Sequence, residues 1–292
     1  MTNNQISIKA PAKINLALDV TGKRPDGYHE LRMIMQTVSL YDRLDITWIP
    51  DNEVILEVEG NQTDLGQPED NLIYKAAQLL KEHASIDGGF HIRLQKNIPV
   101  AAGMAGGSTD CAATLLGINQ LMELGLSREE LCELGVTLGA DVPYCIWKGT
   151  ALAQGIGDKL TRLENVPDIN VLLVKPDIGV STGFVYGNLS VPDLKEHPDV
   201  EGMITSIEQK DRQGIYNRLA NVLETVTIPA YPVIQEIKDE LLRQGADAVL
   251  MSGSGPTVFA LFDDSKQAEM AREACGKMYP GYFCALCQTV SS

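Results

Sequence analysis

The sequence predicts an α+β protein of two domains, and three observations support that prediction. With 292 residues the chain is long for one compact domain. Apolar residues alternate with a two-residue period through much of the N-terminal part, which indicates several strands before any long helix. Beyond about residue 160, strand and helix patterns alternate, as in an α+β layer.

Composition and charge limit the classes of partner. The chain is 44% hydrophobic and 22% charged, which is typical of a globular protein. Its formal net charge of -15 argues against nucleic acids and acidic membrane surfaces, so an anionic ligand has to be bound by local groups. No apolar run is long enough to cross a bilayer, and MTNNQISIKA lacks the features of a signal peptide, so we expect a cytoplasmic protein.

The N-terminal elements follow from hydrophobic periodicity. Alternation from Ile6 to Val20 predicts a strand in which Lys13 and Asn15 share the face opposite the apolar residues. LRMIMQTVSLYDRLDITWI and EVILEVEG continue the strand pattern. Helical spacing in NLIYKAAQLLKEH predicts a helix that begins at Asp70.

A loop of small residues follows the next predicted strand. FHIRLQ alternates as a strand and leads into PVAAGMAGGSTD at positions 99–110, after which apolar spacing predicts a helix capped by Ser108, Thr109 or Asp110. Ser127 and Glu130 form a capping box for a further helix that Gly139 can close. Asp141 lies just beyond that end.

The second half predicts a mixed layer after a domain boundary near residue 160, which gives domains 1–160 and 161–292. Strand patterns begin near Thr150 and recur in INVLLV, ADAVLM, TVFALF and YFCALCQTV, and helices are predicted at 232–244 and 265–277. Cys284 and Cys287 form a CxxC motif, but no second pair completes a zinc site, which favours buried thiols in a strand.

The small-residue loop has the features of a phosphate site. Backbone without bulky side chains approaches a ligand closely, and the start of the following helix offers free N–H groups and a positive dipole end. Neither GxxxxGK[ST] nor a clean GxGxxG is present, so the common nucleotide loops and a dehydrogenase fingerprint are excluded. The alternative for the loop is a tight connection whose glycines only permit close packing.

Five segments together resemble the GHMP small-molecule kinases. They are APAKINLALDV, GKRPDGYHEL, PVAAGMAGGSTD, LGADVPYC and MSGSGPTVF, in the family's order across residues 10–259. The resemblance is to the members that act on a cytidyl diphosphate methylerythritol. It implies an N-terminal domain like domain 2 of ribosomal protein S5, a C-terminal ferredoxin-like domain, and an active site in the cleft between them.

The implied reaction transfers the ATP γ-phosphoryl group, with Mg²⁺, to the 2-hydroxyl of that small-molecule substrate in the non-mevalonate route to isopentenyl diphosphate. The resemblance assigns Lys13 and Asp141 as the catalytic pair. A carboxylate orients the attacking hydroxyl or accepts its proton, and a lysine stabilises the developing charge. Taken alone, the two residues would be a surface lysine and a helix-end aspartate.

The acceptor site is expected at the turn Arg24-Pro25-Asp26-Gly27, which presents the following aromatics. In similar enzymes the tyrosine stacks on cytosine and the histidine binds the base edge, with Phe184 as a less favoured alternative to the second aromatic. The implied substrate-binding residues are Asn15, Tyr28, His29, Thr182 and Tyr186.

The nucleotide is expected at the small-residue loop, with Ser108 near phosphate or magnesium and the turn containing Gly253 and Gly255 as its support. Ala101, Ala102 and Ala105 stand where many relatives have glycine. The implied ATP-binding residues are Asn71, Lys96, Pro99, Ala101, Ala102, Gly103, Met104, Ala105, Gly106, Gly107, Ser108 and Thr109, and the metal ligands are unknown.

Two alternatives remain at the sequence level. Another GHMP kinase would act on mevalonate, homoserine or a sugar, and a regulatory protein would bind nucleotide without catalysis. Tyr28, His29 and Tyr186 argue against the first, and the retention of Lys13 and Asp141 argues against the second. The oligomeric state is left as monomer or homodimer.

Overall fold

A computed structural model describes residues 4–60 and 67–291 of the chain. The chain forms two compact units that are each discontinuous in sequence. The first contains the residues up to Ala12, Tyr41–Val100 and Ala105–Trp147. The second contains Lys13–Leu40, Ala101–Met104 and the chain from Lys148 onward. The long strands β1 (Gln5–Lys23) and β2 (His29–Ile49) contribute residues to both units.

The first unit packs helices on a sheet. Its further elements are β3 (Val54–Gly60), α1 (Leu72–Ala84), β4 (Gly89–Lys96), α2 (Gly106–Leu121), α3 (Arg128–Val136) and α4 (Val142–Trp147). β4 pairs antiparallel with Arg43–Ile49 of β2 and parallel with β3. A Cβ at Gly117 of α2 would lie 2.7 Å from Ile46 Cδ1, so the helix approaches the sheet where it has no side chain.

The second unit contains the remaining elements. They are β5 (Thr150–Gly155), β6 (Lys159–Arg162), β7 (Asn170–Lys175), α5 (Thr182–Asn188), α6 (Val200–Glu208), α7 (Arg212–Tyr216), β8 (Ala220–Asn221), α8 (Glu224–Ala230), α9 (Val233–Arg243), β9 (Ala248–Met251), β10 (Val258–Phe262), α10 (Ser265–Met278) and β11 (Phe283–Gln288).

Two groups of strands organise this unit. In one, β1 lies between β2 and β8, and β5 joins β2 to β6. In the other, the antiparallel order is β11-β7-β10-β9. Helices α9 and α10 pack on the second group, and the core between them includes Phe259, Leu261, Ile237 and Ala271.

Most predicted elements are confirmed, but several helix boundaries differ from the prediction. The capping box of Ser127 and Glu130 is present, and α9, α10 and the strand that carries the CxxC motif lie where the pattern places them. The helix expected from Asp70 begins at Leu72, because the side chain of Asn71 accepts the N–H of Ile73 as its cap. The helix that Gly139 was expected to close ends earlier, at Val136.

Candidate functional site

Lys13 is fixed by hydrogen bonds inside the second unit. Only 5% of the residue is exposed, so it is no surface lysine. Its ammonium donates to Asn15 Oδ1 at 2.7 Å and to the carbonyl oxygen of Gly103 at 3.2 Å, and its backbone N–H donates to Met104 O at 3.2 Å. The face that the sequence assigned to Lys13 and Asn15 is therefore buried and polar, and the small-residue loop supplies part of it.

The turn between β9 and β10 supports that loop within the second unit. Ser252 Oγ donates to Gly103 O at 3.0 Å, and Asn221 Nδ2 donates to Gly253 O at 2.8 Å. Gly103 and Gly253 have φ values of 70° and 57°. A Cβ at Gly103 would lie 2.1 Å from Ser252 O, so the close approach requires glycine. The expected support of the loop by MSGSGPT is confirmed at these contacts.

The helix α2 begins earlier than the sequence predicted. Ala105 is the N-cap, with a left-handed φ of 56°, and it provides no side-chain cap. Ser108, Thr109 and Asp110 lie within the first turns rather than before them, so the capping prediction is wrong. Ala101 also has a left-handed φ, of 51°. The start of the helix therefore has uncapped N–H groups and no acidic residue in its first turn.

The other loop residues differ in exposure. Pro99, Ala102 and Met104 are buried, whereas Gly107 is exposed and Ser108 is partly exposed. Thr109 Oγ1 donates to Pro11 O at 2.8 Å, which joins the helix to the start of β1 in the first unit. A Cβ at Gly106 would lie 3.1 Å from Lys96 Nζ. The exposed positions of the loop are thus Val100, Ala101 and Gly107, and Ser108 beside Gly107 is partly exposed.

Lys96 belongs to a buried charge cluster in the first unit, which we call the Lys96 cluster: Lys96, Asp42 and Asp110. Lys96 Nζ lies 2.5 Å from Asp42 Oδ2 and 2.7 Å from Asp110 Oδ2. Asp42 Oδ1 also accepts the backbone N–H groups of Asn97 and Ile98, at the entry to the loop. Sequence reasoning did not single out Asp42 and considered Asp110 only as a helix cap, because an isolated aspartate in a strand or helix carries no signal of burial.

Burial and the charges of neighbouring groups shift the pKa values of Lys96 and Asp110. Burial disfavours the ammonium, but attraction by Asp110 and Asp42 outweighs it and raises the pKa of Lys96. Burial raises the pKa of Asp110 well above its usual range; Lys96 opposes this shift, and the charge of Asp42 adds to it. Asp110 Oδ1 is buried and has no hydrogen-bond partner among the residues described.

Asp141 immediately precedes α4 in the first unit. Its backbone carbonyl accepts the N–H of Cys145 at 3.1 Å, which is the first bond of the helix. The residue is partly exposed, and within the described part of its own unit the carboxylate has no hydrogen-bond or ion-pair partner. The carboxylate is therefore available to an incoming hydroxyl.

The predicted turn before β2 is present in the second unit. Arg24 N–H donates to Tyr28 O at 2.7 Å, and Gly27 has a φ of 89°. Tyr28 is 61% exposed, whereas the rings of His29 and Tyr186 lie 5.2 Å apart. Burial and the positive charge of Lys23 lower the pKa of His29. The structure thus brings two of the predicted aromatics together and leaves the third open to solvent.

Thr182 begins the helix that carries Tyr186. Its Oγ1 lies 3.0 Å from Ser254 Oγ, in the turn that also supports Gly103. Phe184, the alternative to Tyr186, contacts Tyr231 instead, with ring centroids 6.4 Å apart. Tyr186 is therefore the aromatic that lies against His29.

Three further observations concern metals, thiols and membranes. Across residues 4–60 and 67–291, no group of three His, Cys, Asp or Glu side chains is arranged to hold a metal ion. All six cysteines are free thiols, including Cys284 and Cys287. No helix in those residues combines the length and apolar character that crossing a bilayer requires.

Comparison with protein families identifies two matching segments. Residues 71–149 match the GHMP kinases N terminal domain, and residues 203–281 match the GHMP kinases C terminal domain. The first segment includes Asn71, the small-residue loop and Asp141, and the second includes the turn that supports Gly103.

Comparison with individual proteins gives similarity over nearly the whole chain. A 4-diphosphocytidyl-2-C-methyl-D-erythritol kinase of Lachnoclostridium phytofermentans is 53% identical over 91% of this chain and 91% of its own length. One from Lachnospira eligens is 52% identical over 89% of this chain and 90% of its own. A crystal structure of 4-(cytidine 5'-diphospho)-2C-methyl-D-erythritol kinase has a TM-score of 0.82, with 32% identity over 97% of this chain and 99% of that one.

Proposed function

Since the chain belongs to the GHMP kinases and, within them, to the family of 4-diphosphocytidyl-2-C-methyl-D-erythritol kinases, we propose that it phosphorylates the 2-hydroxyl of 4-diphosphocytidyl-2-C-methyl-D-erythritol with ATP. The products are the 2-phosphate and ADP, in the non-mevalonate route to isopentenyl diphosphate. The observation that carries the proposal is identity above 50% across nine-tenths of both chains.

Lys13 has the role of an electrostatic partner in this proposal. An ammonium has three N–H donors, and two of those of Lys13 are used by Asn15 and Gly103. The third donor remains for an oxygen of the transferring phosphoryl group. Because the other two bonds fix the ammonium before substrate binds, little reorganisation is needed when charge develops.

Asp141 orients the 2-hydroxyl or accepts its proton. The residue is partly exposed, and its carboxylate forms no hydrogen bond or ion pair in the described part of its unit. Phosphoryl transfer depends mainly on positioning and charge stabilisation, so either role would require an ionised carboxylate within hydrogen-bond distance of the attacking oxygen.

The acceptor's cytosine is assigned to the aromatics of the second unit. Tyr28 exposes a ring that can stack on a base, while Tyr186 lies against His29. A lowered pKa keeps His29 neutral at neutral pH, which suits hydrogen bonds to an uncharged base edge. Asn15 and Thr182 complete the proposed acceptor set.

The ATP phosphates are assigned to residues 99–109, with Asn71 and Lys96 on the adenosine side. Uncapped N–H groups at the start of α2 fit a phosphate, and the absence of acidic residues in its first turn removes a source of repulsion. The ammonium of Lys96 is occupied by Asp42 and Asp110, so in this proposal Lys96 supports ATP binding indirectly, by helping to hold the entry to the loop in place. Mg²⁺ would be held mainly by the phosphates together with Ser108, since Mg²⁺ often takes few protein ligands.

The remaining proposals concern organisation. We retain a domain boundary near residue 160, a cytoplasmic location and a monomer or homodimer. Size-exclusion chromatography with light scattering would decide between the monomer and the homodimer.

A substrate panel tests the function directly. ATP consumption by purified protein is compared with 4-diphosphocytidyl-2-C-methyl-D-erythritol, mevalonate, homoserine and sugar alcohols as acceptors. We expect turnover only with the first. Turnover with mevalonate, homoserine or a sugar alone would assign a different GHMP kinase, and ATP binding without turnover would indicate a regulatory protein.

Asp141→Asn tests the role of the carboxylate. We expect turnover to fall about 10²- to 10⁴-fold, the usual scale for a general acid-base group, with CDP affinity retained. Asp51→Asn, at an exposed position of the first unit, serves as the matched control and should keep the wild-type rate. Near wild-type turnover of the Asp141 variant would remove it from the reaction.

A further inference from the structure

A histidine-carboxylate pair in the second unit has no role in the proposed reaction. His197 Nδ1 lies 2.8 Å from Asp19 Oδ1. The side chain of Asp19 is 8% exposed and that of His197 is 49% exposed. The buried carboxylate thus holds one ring nitrogen, and the other half of the imidazole remains accessible.

The position of Asp19 on β1 relates the pair to the acceptor residues. Side chains two residues apart share a face of a strand, so Lys13, Asn15 and Asp19 lie on the same face. Asn15 Nδ2 contacts Met33 Sδ of β2, and His29 lies an even number of residues before Met33. The same sheet face therefore carries Lys13, Asn15, Asp19 and His29.

The order of these residues corresponds to the order of groups in the proposed substrate. The accepting hydroxyl is assigned to the end of β1 that carries Lys13 and Asn15. Cytosine is assigned to His29, which follows the turn after β1. The diphosphate of the substrate connects those two parts, and Asp19 lies between them along the strand.

Three arginines of the second unit are already paired with carboxylates, whereas Lys23 on β1 and Lys195 have no ion pair among the described residues. Arg24 pairs with Asp26 and Glu30, and Arg32 pairs with Glu201. Arg218, near the segment that carries His197, pairs with Asp199. In a chain with a net charge of -15, a diphosphate has to be bound by local groups, and His197 has an accessible ring nitrogen.

We infer that His197, held by Asp19, is a further binding residue for the diphosphate of the acceptor substrate. With Nδ1 held by Asp19, Nε2 at the accessible edge of the ring is the atom that contacts a phosphate oxygen. Asp19 fixes the ring orientation and acts as a positioning residue. This inference rests on the proposed function, because it takes the cytidyl diphosphate group as the ligand.

The experiment compares ligands that differ only in the diphosphate. Binding of CDP and of cytidine to the full-length protein is measured by calorimetry for the wild type and for His197→Ala. We expect the variant to bind CDP about tenfold more weakly, the scale of one charge-assisted hydrogen bond, and to bind cytidine with unchanged affinity. Asp19→Asn should also lower the affinity for CDP, by a smaller factor than His197→Ala.

His91→Ala provides a matched control. His91 Nε2 lies 3.1 Å from Glu57 Oε2 in the first unit, so it is also a histidine beside a carboxylate. Its variant should bind both ligands as the wild type does. Thermal unfolding of each variant verifies that the fold is retained.

The outcomes separate this inference from the proposed function. Wild-type protein that binds neither CDP nor cytidine would overturn the cytidyl acceptor itself. Wild-type protein that binds CDP while His197→Ala binds it equally well would overturn only the role of His197. An equal loss of CDP and cytidine affinity would assign His197 to the fold of the site and would also overturn the diphosphate contact.

Discussion

The Lys96 cluster contains more negative than positive charge in a buried environment. Two carboxylates share one ammonium, and both aspartates and the lysine have side chains no more than 4% exposed. Such an arrangement is costly unless the second carboxylate takes up a proton. We expect Asp110 to be that group, because burial raises its pKa well above the usual range and its Oδ1 has no partner in the described residues.

Asp110→Asn should therefore change how stability depends on pH. The pKa of Asp110 is raised in the folded state, so its favourable contribution is present below the ordinary carboxyl pKa and is lost as pH rises through the folded value. The amide avoids this loss, which costs about 1.4 kcal/mol for each pH unit between the two pKa values. Urea unfolding at pH 5 and pH 8 measures the free energy of unfolding of both proteins. We expect the stability of the variant relative to the wild type to be higher at pH 8 than at pH 5.

The control for that measurement is Asp45→Asn, in which the replaced carboxylate pairs with Arg43 at the surface. Its stability should follow the pH dependence of the wild type. If Asp110→Asn also runs parallel to the wild type between the two pH values, Asp110 is ionised throughout and the cluster is charged.

Tyr28 provides a second prediction for a single residue. Base stacking on an aromatic ring contributes about 1 to 3 kcal/mol, and the Tyr28 ring is open to solvent. Tyr28→Ala should raise the KM for the cytidyl substrate by about 5- to 100-fold and leave the KM for ATP nearly unchanged. Tyr28→Phe keeps the ring and should keep both constants. Equal increases in the two constants would move Tyr28 out of the acceptor site.

At the scale of the element, the small-residue loop depends on backbone conformations that side-chain patterns do not report. Ala101 and Ala105 adopt left-handed φ values, at a cost of about 1 to 2 kcal/mol for a residue with a Cβ. Because alanine disfavours this region and has no capping side chain, no residue pattern indicated an N-cap at Ala105; the sequence predicted a cap at Ser108 to Asp110, and the helix begins before them. The capping box of α3 was predictable because both of its bonds are local.

Periodicity has a similar limit in β1. Alternation predicted the strand and the shared face of Lys13 and Asn15, and both are confirmed. It also implied one open face, whereas Ala12 to Val20 are all buried. Burial of the polar face comes from the loop and the turn after β9, which are distant in sequence and leave no periodic signal in β1.

Gly103→Ala tests whether the turn after β9 positions the loop. A Cβ there would lie 2.1 Å from Ser252 O on a backbone with a φ of 70°, so the loop must move. We expect a loss of about 1 to 3 kcal/mol in the free energy of unfolding and weaker binding of ATP, with CDP affinity little changed. Urea unfolding and titration with a fluorescent ATP analogue measure the two effects.

Ala105→Gly serves as the opposite control, since glycine adopts the left-handed φ of Ala105 without a steric penalty. It should retain or raise stability. If Gly103→Ala binds ATP as the wild type does, the contact with Ser252 does not position the loop for nucleotide.

At the scale of the whole molecule, resemblance predicted more than periodicity did. Five motifs spread over residues 10–259 predicted the family and the two-domain fold, and the matches of residues 71–149 and 203–281 to the two GHMP kinase domains confirm both. The boundary near residue 160 stays a prediction, since it divides the chain into two segments that are each continuous in sequence. The compact units instead follow contacts between distant segments, so Lys13–Leu40 groups with the chain after Lys148.

The proposed ligands should protect different parts of the two units from hydrogen exchange. All proposed cytidyl contacts lie in the second unit, so CDP should slow exchange in residues 24–35 and 181–188 at short times, when local opening dominates. A non-hydrolysable ATP analogue should slow exchange in residues 100–110, whose uncapped N–H groups begin α2. Helix α3, which contributes no proposed contact, is the internal reference for both ligands. Protection of α3 by CDP, with no change at 24–35, would place the acceptor elsewhere and contradict the assignment of Tyr28 and His29.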